Sequence, residues 1–498
     1  MYKKVTLFLI MFICALVPLL SSRFVTAASQ NTIRYASVTA ITTHPLATSP
    51  SVTVQMIKDI VPGGSGSDPD DLFSVNGILY FSAFDAAHGF ELWRSDGTPV
   101  GTYMVADINP GPGHSLPAGM VAYGGYSNDS DFYFLARTNS SQSHQIWKSD
   151  GTAAGTVQAM APVDDPRILT VVGDTLYFFA NDPLYGGELW ANNGTYGGSW
   201  LVQDINPGPG SSYVTQNPVA LGNKLLFTAY DGAHGIEPWV SDGTIAGTQM
   251  VKDIHPDASS VGALGNFVVW GGLAYFSGND NLFGGELWQT DGTPAGTVRV
   301  AAVSSSIGTH VQILGVFNGQ LYFLGDNPAR LWATDGTESG TRMVHDFGSQ
   351  VNYSSSYGAV PFNNGFCFTY SGSRFDTGSF LELWCSDGQT AVHLDIIPAD
   401  DEEVQSAPVV LGNTLYFALQ DGPHGLELWQ SDGTVAGSQL VQDINPDPHV
   451  GSIPQDLTVV NGRLFFTADD GTHGRELWLL TAQTPQSSWS IYLPFIIR

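Results

Sequence analysis

Tryptophan returns in one local phrase nine times, at Trp93, Trp147, Trp190, Trp239, Trp288, Trp332, Trp384, Trp429 and Trp478. The spacing averages about 48 residues, the size of a blade-like repeat of four short strands. A full copy reads Val409 to Asn413, then Leu415-Tyr416-Phe417, then Leu426 to Trp429, and finally Leu440 to Ile444. Each run is rich in β-branched, aromatic and leucine residues. Asn-Gly, Asp-Gly or other glycine turns separate them, as in hairpins. With 57 glycines and 28 prolines, the chain has no helical window outside its first residues.

The two ends of the repeat complement each other. Val52 to Pro62 matches only the last strand of a unit, whereas the final unit stops after its third strand at Glu476-Leu477-Trp478. An N-terminal strand that completes the last blade would close a ring and cover two sheet edges. The expected fold is therefore all-β, a single closed β-propeller of four-stranded antiparallel blades over residues 52–480. Nine phrases imply nine blades, one beyond the common range of four to eight, and eight is the alternative count.

Outside this region the sequence changes character. Lys3, Lys4, the apolar run Val5 to Leu20 and the small-x-small Val25-Thr26-Ala27 read as an export signal over residues 1–27, with cleavage after Ala27. A retained anchor is the alternative. Residues 28–51 form a linker. Residues 481–498 form a polar linker and a short apolar tail, Ile491 to Arg498, either an attachment signal or a strand docked on the last blade. Cys367 and Cys385 lie on neighbouring predicted strands and would face one another, which predicts a disulfide in an oxidising compartment. The mature chain is expected to be a secreted or cell-surface monomer without a transmembrane span.

The phrase Glu-Leu-Trp-x-x-Asp-Gly-Thr, as in Glu91 to Thr98, Glu286 to Thr293 and Glu427 to Thr434, resembles the bacterial ELWxxDGT-repeat proteins. The resemblance covers about residues 52–480. It implies an exported propeller-type protein and no defined activity.

Comparing the copies with one another separates chemistry from construction. Asp-Gly-Thr suits a tight turn, with glycine at positive φ and the aspartate accepting backbone amides. One copy reads Asn193-Gly194-Thr195, so charge is dispensable there. The tryptophan is expected to pack between blades. A second column pairs an aspartate with a glutamate six residues on: Asp85 with Glu91, Asp231 with Glu237, Asp421 with Glu427, and Asp470 with Glu476. These are candidate metal ligands, with calcium the ion that would suit oxygen donors. The competing reading has them capping turn amides. Between them stand His88, His234, His424 and His473, with Tyr185 and Phe283 in other copies, an exchange that suggests a packing ring. These hairpins should share one face of the disc with the loops after Asp-Ile-x-Pro, including the acidic run Asp400 to Glu403.

Charge completes the reading. Eighteen basic residues stand against 46 acidic ones, a formal net charge of −28. Such a surface repels nucleic acid and favours cations or basic partners. No Gly-x-Ser-x-Gly, His-Glu-x-x-His, Cys-x-x-Cys or phosphate loop occurs, so no catalytic or cofactor-binding residue is assigned. The leading expectation is a non-catalytic extracellular binding or scaffold protein that presents an acidic propeller face to a protein, glycan or cation. The alternatives are a carbohydrate-active enzyme and a structural surface-layer component.

Overall fold

The computed structural model describes residues 52–482, apart from short segments at 123–130, 140–142, 213–214, 258–260, 283, 304–310, 326–329, 349–350, 357, 375–377, 399–406 and 448–449. The expected leader and linker, the run Asp400 to Glu403, and all but two residues of the tail lie outside the described residues.

Among the described residues, thirty-seven strands make nine sheets and there is no helix. Blade 1 shows the plan, with strands Asp70–Val75, Ile78–Asp85, Gly89–Ser95 and Tyr103–Ala106 in simple up-and-down order. Blades 2 to 8 follow at residues 118–158, 164–203, 215–250, 263–301, 312–346, 351–398 and 409–440. Blade 9 supplies three strands from residues 455–482 and takes its outermost strand, Val52–Lys58, from the start of the chain. That strand pairs antiparallel with Arg475–Ala482, Val52 opposite Ala482 and Met56 opposite Trp478. The innermost strands of successive blades touch all the way round, from blade 1 through blade 9 and back to blade 1. The ring is closed.

The repeated phrase explains the core. In every blade the tryptophan of the third strand lies directly opposite a phenylalanine of the second, from Phe81 and Trp93 to Phe466 and Trp478. Such cross-strand aromatic pairs stabilise a sheet by about 0.2–1 kcal/mol each. Each pair then packs on the preceding blade, and nine apolar clusters fill the nine seams. Trp93 joins Phe465, Leu477 and Ile57 between blades 9 and 1, and Trp239 joins Tyr177, Phe179 and Leu189 between blades 3 and 4. A hydrophobic face on each side of every sheet leaves one solution, a stack that curves until its ends meet.

Blade 7 departs from the plan. Its second and third strands lengthen into Gly365–Arg374 and Gly378–Ser386, and Val351–Ser355 adds a fifth strand. The register sets Cys367 opposite Cys385, with Cα atoms 4.0 Å apart, and the two sulfurs are bonded. Cys367 occupies the position that is Tyr80, Tyr177, Tyr275 or Tyr322 elsewhere. Those tyrosines reach under the Asp-Gly turn of the next blade so closely that a Cβ on Gly151 would lie 2.1 Å from the Tyr80 hydroxyl. In blade 7 this strand is tied to its own neighbour instead.

Candidate functional site

The Asp-Gly-Thr turn is a complete hydrogen-bonded unit. Asp96 Oδ1 accepts from the Thr98 amide at 2.8 Å and its hydroxyl at 2.7 Å, and Thr98 Oγ1 accepts from the Gly101 amide at 3.0 Å. The Ser95 and Thr102 hydroxyls meet beneath it at 2.7 Å. Asn193 makes the same two bonds to Thr195, at 3.2 and 2.7 Å. An oxygen is required and a charge is not.

The opposite face carries the aspartate–glutamate column, and the structure gives the two members of each pair different tasks. Asp85 caps its own hairpin: Oδ1 accepts from the amides of Ala87 at 2.8 Å and His88 at 2.9 Å, and the carboxylate meets His88 Nδ1 at 2.9 Å. Asp231 does the same with Ala233 and His234, Asp421 with His424, and Asp470 with Thr472 and His473. The histidines are thus ion-pair partners and not the packing ring that their exchange with Tyr185 suggests. Their side chains stay 36–46% exposed. Desolvation pushes Asp85, Asp231 and Asp470 up, but the imidazole and the hairpin amides outweigh it and hold all three below the usual carboxylate range. The aspartate bond raises each histidine in turn.

The glutamates are fully buried and fasten the crossover that leads into the next blade. Glu91 accepts from the amides of Ile108 at 2.8 Å, Asn109 at 3.2 Å and Ser115 at 3.2 Å, and from the Ser115 hydroxyl at 2.7 Å. Glu188 holds Ile205 and Asn206, Glu237 holds Ile254 and His255, and Glu427 holds Asn445 and Ser452. Glu476 reaches the start of the chain, accepting from Val61 N at 3.2 Å and Ser67 Oγ at 2.6 Å. Burial pushes Glu91, Glu188, Glu237 and Glu476 up to about 7, against the pull of their donors, and Glu427 upward as well. Blade 2 has Gln145 in this column, bonding Val163 N at 3.0 Å and Val163 O at 2.9 Å. A neutral amide does the same work.

The pairs expected to ligate a metal therefore do not converge. Asp85, Asp231, Asp421 and Asp470 turn to their hairpins, and Glu91, Glu237, Glu427 and Glu476 to crossover amides. Among the described residues no group of three or more His, Cys, Asp or Glu could hold a metal ion. Sequence reading missed the serines Ser67, Ser115, Ser212 and Ser452 that complete the glutamate sites. Their signal was present in the recurring Pro- and Gly-rich crossovers such as Asn109 to Ser115 and Asn206 to Ser212. The expected placement of hairpins and crossovers on one face holds, since Ser115 N also donates to Phe90 O at the hairpin base, 2.9 Å away.

Among the described residues no helix is long and apolar enough to cross a membrane. No family model matches the chain, and no curated protein matches it. Solved structures do. BamB from Moraxella catarrhalis is 13% identical, with 86% of this chain and 97% of that one covered and a TM-score of 0.34. Puromycin hydrolase is 14% identical, with a TM-score of 0.40, and the match takes in 81% of this chain but only 58% of that one. The β-propeller domain of the Trilobed protease from Pyrococcus furiosus is 11% identical, with coverages of 66% and 98% and a TM-score of 0.35. These likenesses extend to the fold alone, and the sheet order of the chain itself makes it a nine-bladed β-propeller.

Proposed function

We propose that this chain is an exported, non-catalytic binding scaffold of the ELWxxDGT type, which presents the hairpin-and-crossover face of its disc to a basic protein partner. One observation carries the reading: the carboxylates that recur from blade to blade are bonded to the backbone of the ring itself. What repeats is construction, so recognition falls to what varies, the hairpin tips and crossovers of that face. Exposed Leu184, Tyr185 and Leu282 stand at the tips of blades 3 and 5, and the Asp–His pairs at those of blades 1, 4, 8 and 9. Asp59, Asp107, Asp204, Asp253 and Asp443 open the crossovers on the same side, and the net charge of −28 gives that side the sign to attract cationic surfaces.

The test is surface plasmon resonance on the immobilised propeller with size-matched cationic, neutral and anionic proteins, run beside a glycan array and a glycosidase panel. Binding of the cationic set that weakens steeply with salt and falls when the exposed, varying tip residues Leu184, Tyr185 and Leu282 are changed to Ser is expected. Glycan turnover, or charge-independent binding, would overturn the reading.

A further inference from the structure

The inner wall of the ring carries a feature that neither face explains. The inner strands of blades 1 to 6 and 9 break register with their neighbours, for example between Asp70 and Phe73, Arg167 and Thr170, and Gln455 and Thr458. The bulges of blades 1 to 6 and 9 each hold a residue at positive φ: Asp71, Gly119, Ile168, Asn217, Asn266, Gly315 and Asp456. Bulges blunt the strand edges that would otherwise line the channel as pairing templates. Glycine, asparagine and aspartate tolerate this backbone. Isoleucine does not, because its branched Cβ crowds the following carbonyl, yet Ile168 sits there at φ 56°.

Ile168 lines a cavity of about 360 Å³ between the inner strands of blades 2, 3 and 4, with Met120, Val121, Leu135, Leu169 and Pro218. On the blade 1 side, Asp71 faces the backbone amides of Gly119 and Met120, which belong to the same cavity wall. Those two amides hydrogen-bond its carboxylate. Asp70 and Asp456 lie close enough to repel one another and Asp71. The nearby cation, Arg475, has its Nη1 committed to Ile453 O and Thr467 Oγ1, each at 3.0 Å. An apolar hollow thus adjoins an acidic wall. A strained side chain kept at a pocket marks a site more often than a fault.

We propose that this stretch of channel wall binds an extended peptide segment that sets an apolar side chain into the hollow beside Ile168 and a Lys or Arg side chain against Asp70, Asp71 and Asp456. The two halves meet at Gly119 and Met120, which line the hollow and also bond Asp71. The inference deepens the scaffold reading and rests on it.

The probe is fluorescein-labelled Lys-Leu-Phe-Lys, followed by anisotropy, with Glu-Leu-Phe-Glu and Lys-Ser-Ser-Lys as controls. The amphipathic cationic peptide is expected to bind at least tenfold more tightly than either control. Ile168→Asn should weaken it at least fivefold while leaving the melting temperature unchanged or higher, since asparagine suits the backbone there. Leu135→Gln should weaken it without touching the strained residue. The double change Asp70→Asn and Asp456→Asn should remove the salt dependence. Equal binding to wild type and all variants, or a lower melting temperature for Ile168→Asn with binding intact, would overturn the proposal. A photo-crosslinker on the peptide phenylalanine separates the two readings. Labelling of the hairpin face alone would sink the channel site and leave the scaffold standing, and no binding of any probe at 1 mM and low salt would sink both.

Discussion

Two crossovers of this ring are built alike and differ in one respect. Between blades 1 and 2, Glu91 grips Ile108, Asn109 and Ser115, all within 24 residues of it. Between blades 9 and 1, Glu476 grips Val61 and Ser67, more than 400 residues away. The closing seam repeats the ordinary chemistry, including ties found at other seams, where Lys252 Nζ donates to Thr297 O at 2.8 Å over the Trp288 ring and Asn318 donates to Asn364 O at 2.6 Å. Lys58 Nζ donates to Thr102 O at 2.8 Å and lies over the Trp93 ring, Arg463 donates to Asp96 O at 2.8 Å, and Asn461 to Gly77 O at 3.0 Å. Loop-closure entropy grows with the logarithm of length. Joining ends some 400 residues apart costs about 3 kcal/mol more than closing a loop of about 20. The same bonds carry a larger loop-closure cost at the closing seam, which makes it the most consequential to unfasten.

Removing residues 52–60 should break the comparison outright. The strand Arg475–Ala482 would lose its outer partner, and Val54, Met56 and Ile57 would leave the seams on either side of blade 9. The expected loss is about 5 kcal/mol or more, seen in calorimetry as a lower and broader transition. A transition within a few degrees of wild type would mean that the ring does not depend on its clasp.

Glu476→Ala and Glu91→Ala sharpen it. Each strands buried amides and a hydroxyl, at about 2–4 kcal/mol. Hydrogen exchange should then differ: amides of residues 58–68 should open well before the rest of the ring in Glu476→Ala, while Glu91→Ala should loosen only its own crossover. Matching exchange patterns would erase the distinction. Gly101→Ala probes a seam-independent element, because a Cβ there would lie 2.0 Å from Asp96 Oδ1, and about 1–2 kcal/mol should be lost in urea titration.

The pH profile is a smaller effect with a definite sign. The glutamates bind protons more tightly folded, near 7, than unfolded, near 4.5. Their contribution is complete below about pH 4.5 and is lost as pH rises through 7. The raised histidines act in the same direction from 6.5 upward. Melting temperature should therefore be higher at pH 5 than at pH 8. Glu91→Gln, which copies Gln145, should cost under about 1 kcal/mol at pH 5 and nothing at pH 8. A profile that rises from pH 5 to pH 8 would contradict this. Smallest of all, Asp96→Asn should change stability by under about 0.5 kcal/mol, since Asn193 already does that work.

The sequence alone determined the strand content, the period, the blade count to within one and the clasp. Those follow from apolar alternation, turn chemistry and repetition, which act locally and leave their mark on every copy. Asn193 alone was enough to show that the Asp-Gly-Thr charge is dispensable. Gln145 and Arg330, standing where other blades have glutamate, say the same of the second column's carboxylate. Only the tertiary structure decided what Asp85 and Glu91 each touch. Residues six apart on one hairpin look like a pair in a string of letters. The pleat and the crossover then send one to its own turn and bury the other beneath the next blade's approach. The bulged inner wall with Ile168 was likewise invisible, because backbone handedness at a bulge depends on the neighbouring strand and not on the residue that must endure it.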